Sequence, residues 1–171
     1  MELAVSFLKK LGHRKIAYLS SSLGSQIFQM RHAAFFHAMH QHGLKTSSTN
    51  AGCSYDLSEC IEKHLPRFLK SGMTAIICSQ DTIASAALIQ CQQLGYQVPN
   101  DISIIGFDDL PIAAYTSPPL TTIRQDRTEL GKSGFNALFS LLNNISISTF
   151  LLHAQLIERK STEICSKADI S

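Results

Sequence analysis

Strand-like and helical runs take turns along this sequence, and that alternation leaves it few architectures to choose from. Short runs rich in β-branched and other apolar residues occur at 15–19, 75–78, 103–107 and 150–157, each bounded by polar, Gly or Pro residues. Between them the apolar spacing predicts helices over 3–11, 26–42, 58–71, 82–94 and 127–142, and Gly12, Gly43, Gly72 and Gly95 stand where four of them should stop. Strands alternating with helices imply an α/β fold, a Rossmann-like parallel sheet with helices on both faces. A short edge strand is expected near 46–50, and Pro118-Pro119 sets residues 120–144 apart from the α/β units before them.

In open α/β sheets ligands bind beyond the carboxyl ends of the strands. There the chain carries Ser20-Ser21-Ser22, Ser79-Gln80-Asp81 and, after SIIGF, the adjacent pair Asp108-Asp109. Each group has two readings. Hydroxyls and carboxylates at these places cap helices and order turns, a role open to Asp81 before the helix at 82–94. Converging on one cleft, they would instead bind a polar ligand.

Arg31 sharpens the choice. On the helix at 26–42 it falls three residues after Phe28 and four before Phe35, with Ile27 and Ala34 flanking the stripe, so helical spacing sets a guanidinium amid apolar side chains. A buried charge stripped of its partner costs roughly 3–5 kcal/mol, so an anion or a set of hydroxyls should meet it, and Asp108 is the natural candidate. An arginine that donates and a carboxylate that accepts can together chelate neighbouring hydroxyls of a sugar or polyol. The plainer alternative is a surface arginine whose stem packs on Phe28 and Phe35.

The motifs, taken in order, resemble the effector-binding part of the LacI/GalR (lactose/galactose repressor) family of bacterial transcription regulators. They are LGHRKIAYL (11–19), Arg31 with Phe35, Ala38-Met39 and Gly43, TAIICSQDTIASAAL (74–88), LGYQVPNDISIIGFDD (94–109), PPLTTIRQ (118–125), ELG (129–131) and LIERKST (156–162). The resemblance implies a type I periplasmic-binding-protein-like fold with two Rossmann-like subdomains and a small effector between them. Residues 1–12 would then end a first-subdomain segment and 13–117 form the second subdomain. Residues 118–146 would return to the first subdomain as a helical segment, 147–162 would supply a closing strand of the second, and 163–171 a tail. The second subdomain is thus expected nearly complete, and the first largely missing along with its DNA-reading headpiece.

Carried onto this sequence, the family's effector-contacting arginine and aspartate fall on Arg31 and Asp108, leaving Asp109 to order the turn before Pro111. Gln80, Ser20 and Ser22 would add contacts. Tyr55 lies near a position that is often aromatic in the family, where it could stack on a sugar face or simply pack. Two departures bear on the ligand: Gln80 where many members have asparagine, and Ala34 where the motif usually has glycine. The resemblance also implies a side-by-side homodimer, expected through Ala84, Ala87, Leu88, Cys91, Ile112 and Tyr115, with operator DNA bound only through the headpiece.

Composition narrows the rest. The net charge is +2 over 171 residues, neither sign gathers into a run, and no basic patch for nucleic acid stands out. Residues 1–15 alternate apolar and charged residues without the apolar core of a signal peptide, and no run approaches membrane-spanning length, so the cytoplasm is expected and a membrane is not. Five cysteines without CxxC spacing read as reduced packing residues. No metal site, cofactor or catalytic residue is expected. Two alternatives remain: a periplasmic-type sugar-binding protein, and a magnesium-dependent phosphoryl-transfer domain using Asp108 and Asp109.

Overall fold

The computed structural model describes residues 1–21, 24–147, 149 and 151–166. Among the described residues six α-helices, α1 (Glu2–Lys10), α2 (Gln26–Gln41), α3 (Leu57–Lys70), α4 (Asp81–Gln93), α5 (Ile112–Tyr115) and α6 (Arg127–Leu142), alternate with six strands. The strands are β1 (Ile16–Ser20), β2 (Ala51–Cys53), β3 (Ala75–Cys78), β4 (Ser103–Phe107), β5 (Thr121–Arg124) and β6 (Gln155–Ile157). They form one sheet in the order β2-β1-β3-β4-β5-β6. The first five run parallel, and β6 closes the edge antiparallel to β5.

Side chains alternate across the strands and build a core on each face. Ala17, Leu19, Ile76, Cys78 and Ile104 meet α3 and α4, while Ile16, Tyr18, Ala75, Ile77, Ile105 and Phe107 meet α1 and α2. Burial on both faces explains why β1, β3 and β4 read as unbroken apolar runs. Helix α2 ends at a glycine whose positive φ reverses the chain, Gly43 at 66°. All five cysteines are free thiols, and Cys60, Cys78 and Cys91 pack in the core.

Several expectations change. Residues 46–50 are not a strand: Asn50 accepts from the Ser47 amide and donates to the Ile16 carbonyl, closing a single 3-10 turn, and pairing begins only at Ala51. The segment from 118 to 146 begins as a strand, not a helix, since Thr121–Arg124 pairs with β4. TTIR is too short to stand out from sequence beside two prolines. Helix α1, expected to end a segment of the other subdomain, buries Ala4, Val5 and Leu8 in this sheet's own core. The closing strand is limited to Gln155–Ile157, and Phe150 lies outside the described residues.

Beyond β6, Ser161 works as a wedge between strands. Its backbone carbonyl accepts from Ile104, and its hydroxyl donates to the Ile104 carbonyl while accepting from the Thr121 amide. This ties the LIERKST motif to β4 and β5.

Gly106 leaves room on the α4 face of β4 for Asp81 and Leu120. A Cβ there would come within 2.1 Å of the Asp81 Oδ1 and 2.8 Å of a Leu120 methyl. Gly106→Ala is therefore expected to lower stability by about 3 kcal/mol, the cost of overpacking without room to relax, read as a drop in the urea midpoint. Helix α6 is the opposite case, with no buried residue and with Leu130, Phe135, Leu138, Phe139 and Leu142 each more than half exposed. In hydrogen exchange on this chain its amides should exchange far faster than those of β3 and β4; protection equal to the strands' would mean another surface covers it.

Candidate functional site

The carboxyl edge of the sheet gathers the polar groups that the sequence places after each strand. Its centre is built from beneath by Asp81, the first residue of α4, which is fully buried. Its Oδ1 accepts from the Thr122 hydroxyl at 2.6 Å and its Oδ2 from the Leu110 amide at 2.6 Å. Burial pushes its carboxyl above the usual range, against the pull of those two donors. Asp81 therefore does not cap α4 but fixes the loop after β4, and Gln80 occupies the N-cap position without a side-chain capping hydrogen bond.

That loop is tight. Asp108 and Asp109 both have positive φ, 102° and 48°, which few residues other than glycine adopt without cost. The Asp108 amide donates to the Ile123 carbonyl, and its own carbonyl accepts from Arg127 Nη2 at 2.8 Å. Held so, the Asp108 carboxylate faces α2 and accepts from Arg31 Nη2 at 3.0 Å. Arg31 Nη1 donates to the Ser79 carbonyl at 2.5 Å, and the guanidinium lies 3.9 Å from the Phe107 ring centroid and 5.7 Å from that of Phe28. Both side chains remain partly open, at 15% and 23% exposure. The pair is therefore rigid yet reachable.

Asp109 does something else. Its two oxygens accept from Arg124 Nε at 2.6 Å and Arg159 Nη2 at 2.7 Å. Burial alone would raise its pKa, but the hydrogen bonds from Arg159 and Arg124 outweigh that and hold it below the usual carboxylate range. The two aspartates thus diverge onto different arginines, and neither offers a cation the paired oxygens that a magnesium site needs. Among the described residues, no three His, Cys, Asp or Glu side chains converge as metal ligands.

Ser20 ends a strand, and Gln80 and Tyr55 follow strands, at the same edge; among the described contacts none of the three bonds Arg31. Ser20 is buried at the end of β1, and its hydroxyl donates to the Ser21 carbonyl. The Gln80 side chain accepts from Thr82, and Tyr55 follows β2 at 75% exposure. Ser22 lies outside the described residues. Ala84, Ala87, Leu88 and Cys91, expected at a subunit interface, are packed inside the core against α3 and β4, because α4 turns its small apolar stripe inward. Ile112 and Tyr115 are 47% and 83% exposed, and Ile89 shows 53% on the outer face of α4. Arg124, Arg127 and Arg159, which bond the two aspartates, lie in or beside the motifs but carry no signal in strand or helix spacing.

The periplasmic binding protein-like domain model matches residues 5–162. The chain belongs to the periplasmic binding protein-like domain family. The HTH-type transcriptional repressor PurR of Aliivibrio salmonicida is 33% identical over 166 residues, covering 93% of this chain and 49% of that protein. The structure of the Escherichia coli transcriptional repressor ascG superposes with a TM-score of 0.85 at 28% identity, over 95% of this chain and 60% of that one. The Lac repressor dimer bound to operator and the anti-inducer ONPF gives 0.84 at 29%, over 95% and 57%. The chain spans about half the length of the curated relatives it matches. The LacI/GalR resemblance read from the motifs is borne out, as is the periplasmic-binding-protein-like fold.

In this domain Asp109 is a structural anchor, which a pH series can test. Asp109→Asn should cost about 1–2 kcal/mol near neutral pH, allowing for a half-exposed Arg124. A carboxylate with a depressed folded pKa contributes stability that is present above its unfolded value and lost as pH falls through the folded one. The gap between the two proteins in urea melts should therefore hold down to about pH 4 and shrink below it.

Proposed function

We propose that this domain senses a small hydroxylated effector, sugar-like in its pattern of donors and acceptors, as part of a non-enzymatic cytoplasmic transcription regulator. The observation that carries the reading is the Arg31–Asp108 pair: a fixed donor fork and a fixed acceptor, partly open, at the carboxyl edge of a parallel sheet. Vicinal hydroxyls can accept from the guanidinium and donate to the carboxylate at once. Gln80, Tyr55, Ser20 and Ser22 are its secondary contacts. The pairing of both aspartates to arginines speaks against the magnesium alternative.

Residues 13–117 with the closing strand form the effector-facing subdomain, and the segment around α6 returns to the other subdomain. The exposed apolar face of α6 supports that division. DNA is met through a separate headpiece, and a homodimer forms across Ile112 and Tyr115. In place of Ala84, Ala87, Leu88 and Cys91 we assign Ile89 to the rest of that interface, a reading supported by the inward packing of the four and the exposure of Ile89. This residue lies one turn before Gln92, whose amide donates to the Ser117 carbonyl just past α5.

Two measurements on the full-length protein check these assignments. In calorimetry against a panel of sugars and nucleobases, Arg31→Ala and Asp108→Ala should each weaken the bound ligand at least tenfold, about 1.4 kcal/mol; unchanged affinity in both would sink the assignment. In sedimentation, Ile89→Asp with Tyr115→Asp should shift the protein toward monomer, and an unchanged dimer would move the interface elsewhere.

A further inference from the structure

Helix α6 meets the working edge of the sheet at its first residue. It buries no side chain, and Arg127 Nη2 donates to the Asp108 carbonyl at 2.8 Å. Among the described hydrogen bonds no other α6 side chain reaches past the helix and its cap. The acceptor is the backbone of the same residue whose carboxylate takes Arg31 Nη2. We propose that Arg127 is a positioning residue for that carboxylate, and that α6, which carries Arg127, sets how firmly Asp108 holds Arg31. The proposal rests on the effector-binding reading of Arg31 and Asp108.

The backbone of Asp108 makes that hold necessary. An aspartate at a φ of 102° is strained, and it stays there because the peptide planes on both sides of it are held. On its amide side Asp108 donates to the Ile123 carbonyl of β5 at 2.8 Å. On its carbonyl side the described bonds offer one donor, Arg127. A Cα pinned between two fixed planes has one direction for its Cβ, and here that direction aims the carboxylate at α2. With the carbonyl released, φ can relax toward the negative values an aspartate prefers, which swings the carboxylate off Arg31.

The neighbouring anchors do not replace this bond. Asp109 is tied through its side chain to Arg124 and Arg159, and Leu110 through its amide to Asp81, so both fix points beyond the peptide that joins the two aspartates. Arg127 in turn is placed by the start of its helix. Asp126 caps α6, its carboxylate accepting from the Glu129 amide at 2.9 Å and its carbonyl from the Leu130 amide. Loss of that cap frays the first turn and carries the donor away from Asp108. Because α6 buries nothing against this sheet, its position reaches the site through this one bond.

The Arg31 guanidinium provides the readout. Both of its Nη atoms are bonded, one to the Ser79 carbonyl and one to Asp108, so its rotation about Nε–Cζ is slow while the pair is closed. That rotation can be followed by NMR of the full-length protein with labelled arginine and no ligand added. Arg127→Met, which keeps the stem and removes the donor at an exposed position, should speed it about threefold or more while the urea midpoint stays near wild type. Removing a cation beside Asp108 would by itself strengthen the pull on Arg31, so acceleration reports lost positioning and not lost charge. Arg127→Lys, which retains a long donor, should keep the slow rotation. Asp126→Ala, which touches neither Arg31 nor Asp108, should speed it as Arg127→Met does.

Unchanged Arg31 rotation in Arg127→Met overturns the positioning role, as does equal acceleration in Arg127→Lys. Unchanged rotation in Asp126→Ala overturns the part given to α6. The effector reading fails separately, by unchanged ligand affinity in the Arg31→Ala and Asp108→Ala calorimetry, because the rotation measurement contains no ligand and tests the positioning alone.

Discussion

A carboxylate buried under a glycine holds this domain's working edge in place. Asp81 reaches beneath β4 only because Gly106 has no side chain, and from there it binds the Thr122 hydroxyl of β5 and the Leu110 amide of the following loop. One group thereby couples the start of α4 to two strands. Two short hydrogen bonds offset part of the desolvation cost of this buried acid. With Leu110 pinned on one side and the Asp108 amide bonded to Ile123 on the other, the two aspartates between them must take positive φ. That backbone geometry turns Asp108 toward α2 and Asp109 toward β5 and the segment after β6.

The resulting charge pattern organises the polar site through the chain's own groups. Arg31 is anchored by a backbone carbonyl, a carboxylate and an aromatic face at once, so little side-chain entropy remains to be lost when a ligand arrives. Asp109 neutralises two further arginines and joins the loop to β5 and to the segment after β6. Adjacent residues of one type thus divide the work: one carboxylate is exposed to the cleft, and the other carries the frame.

Much of this was legible in the sequence, for identifiable reasons. Strands buried on both faces announce themselves as apolar runs, so β1, β3 and β4 were readable almost to the residue, as were the helices that end at positive-φ glycines. Arg31 was readable because helical spacing put a charge where one should not lie alone. Strand β5 was not, since four residues of TTIR gain their identity from pairing with β4 and not from any local period. The inward face of α4 was misread for a related reason: a stripe of alanines, leucine and cysteine suits a subunit interface and a helix-to-sheet contact equally, and only the packing of α3 and β4 decides between them. The role of Asp81 depends on a gap above it, which becomes visible only when Gly106 is seen opposite.

A crystal structure of the full-length protein with its effector bound tests the central claim most directly. The account predicts ligand hydroxyls bridging the Arg31 guanidinium and the Asp108 carboxylate, with Asp81 still bonded to Thr122 and Leu110 below them. A ligand seated elsewhere, with the Arg31–Asp108 pair closed on itself and untouched, would contradict it.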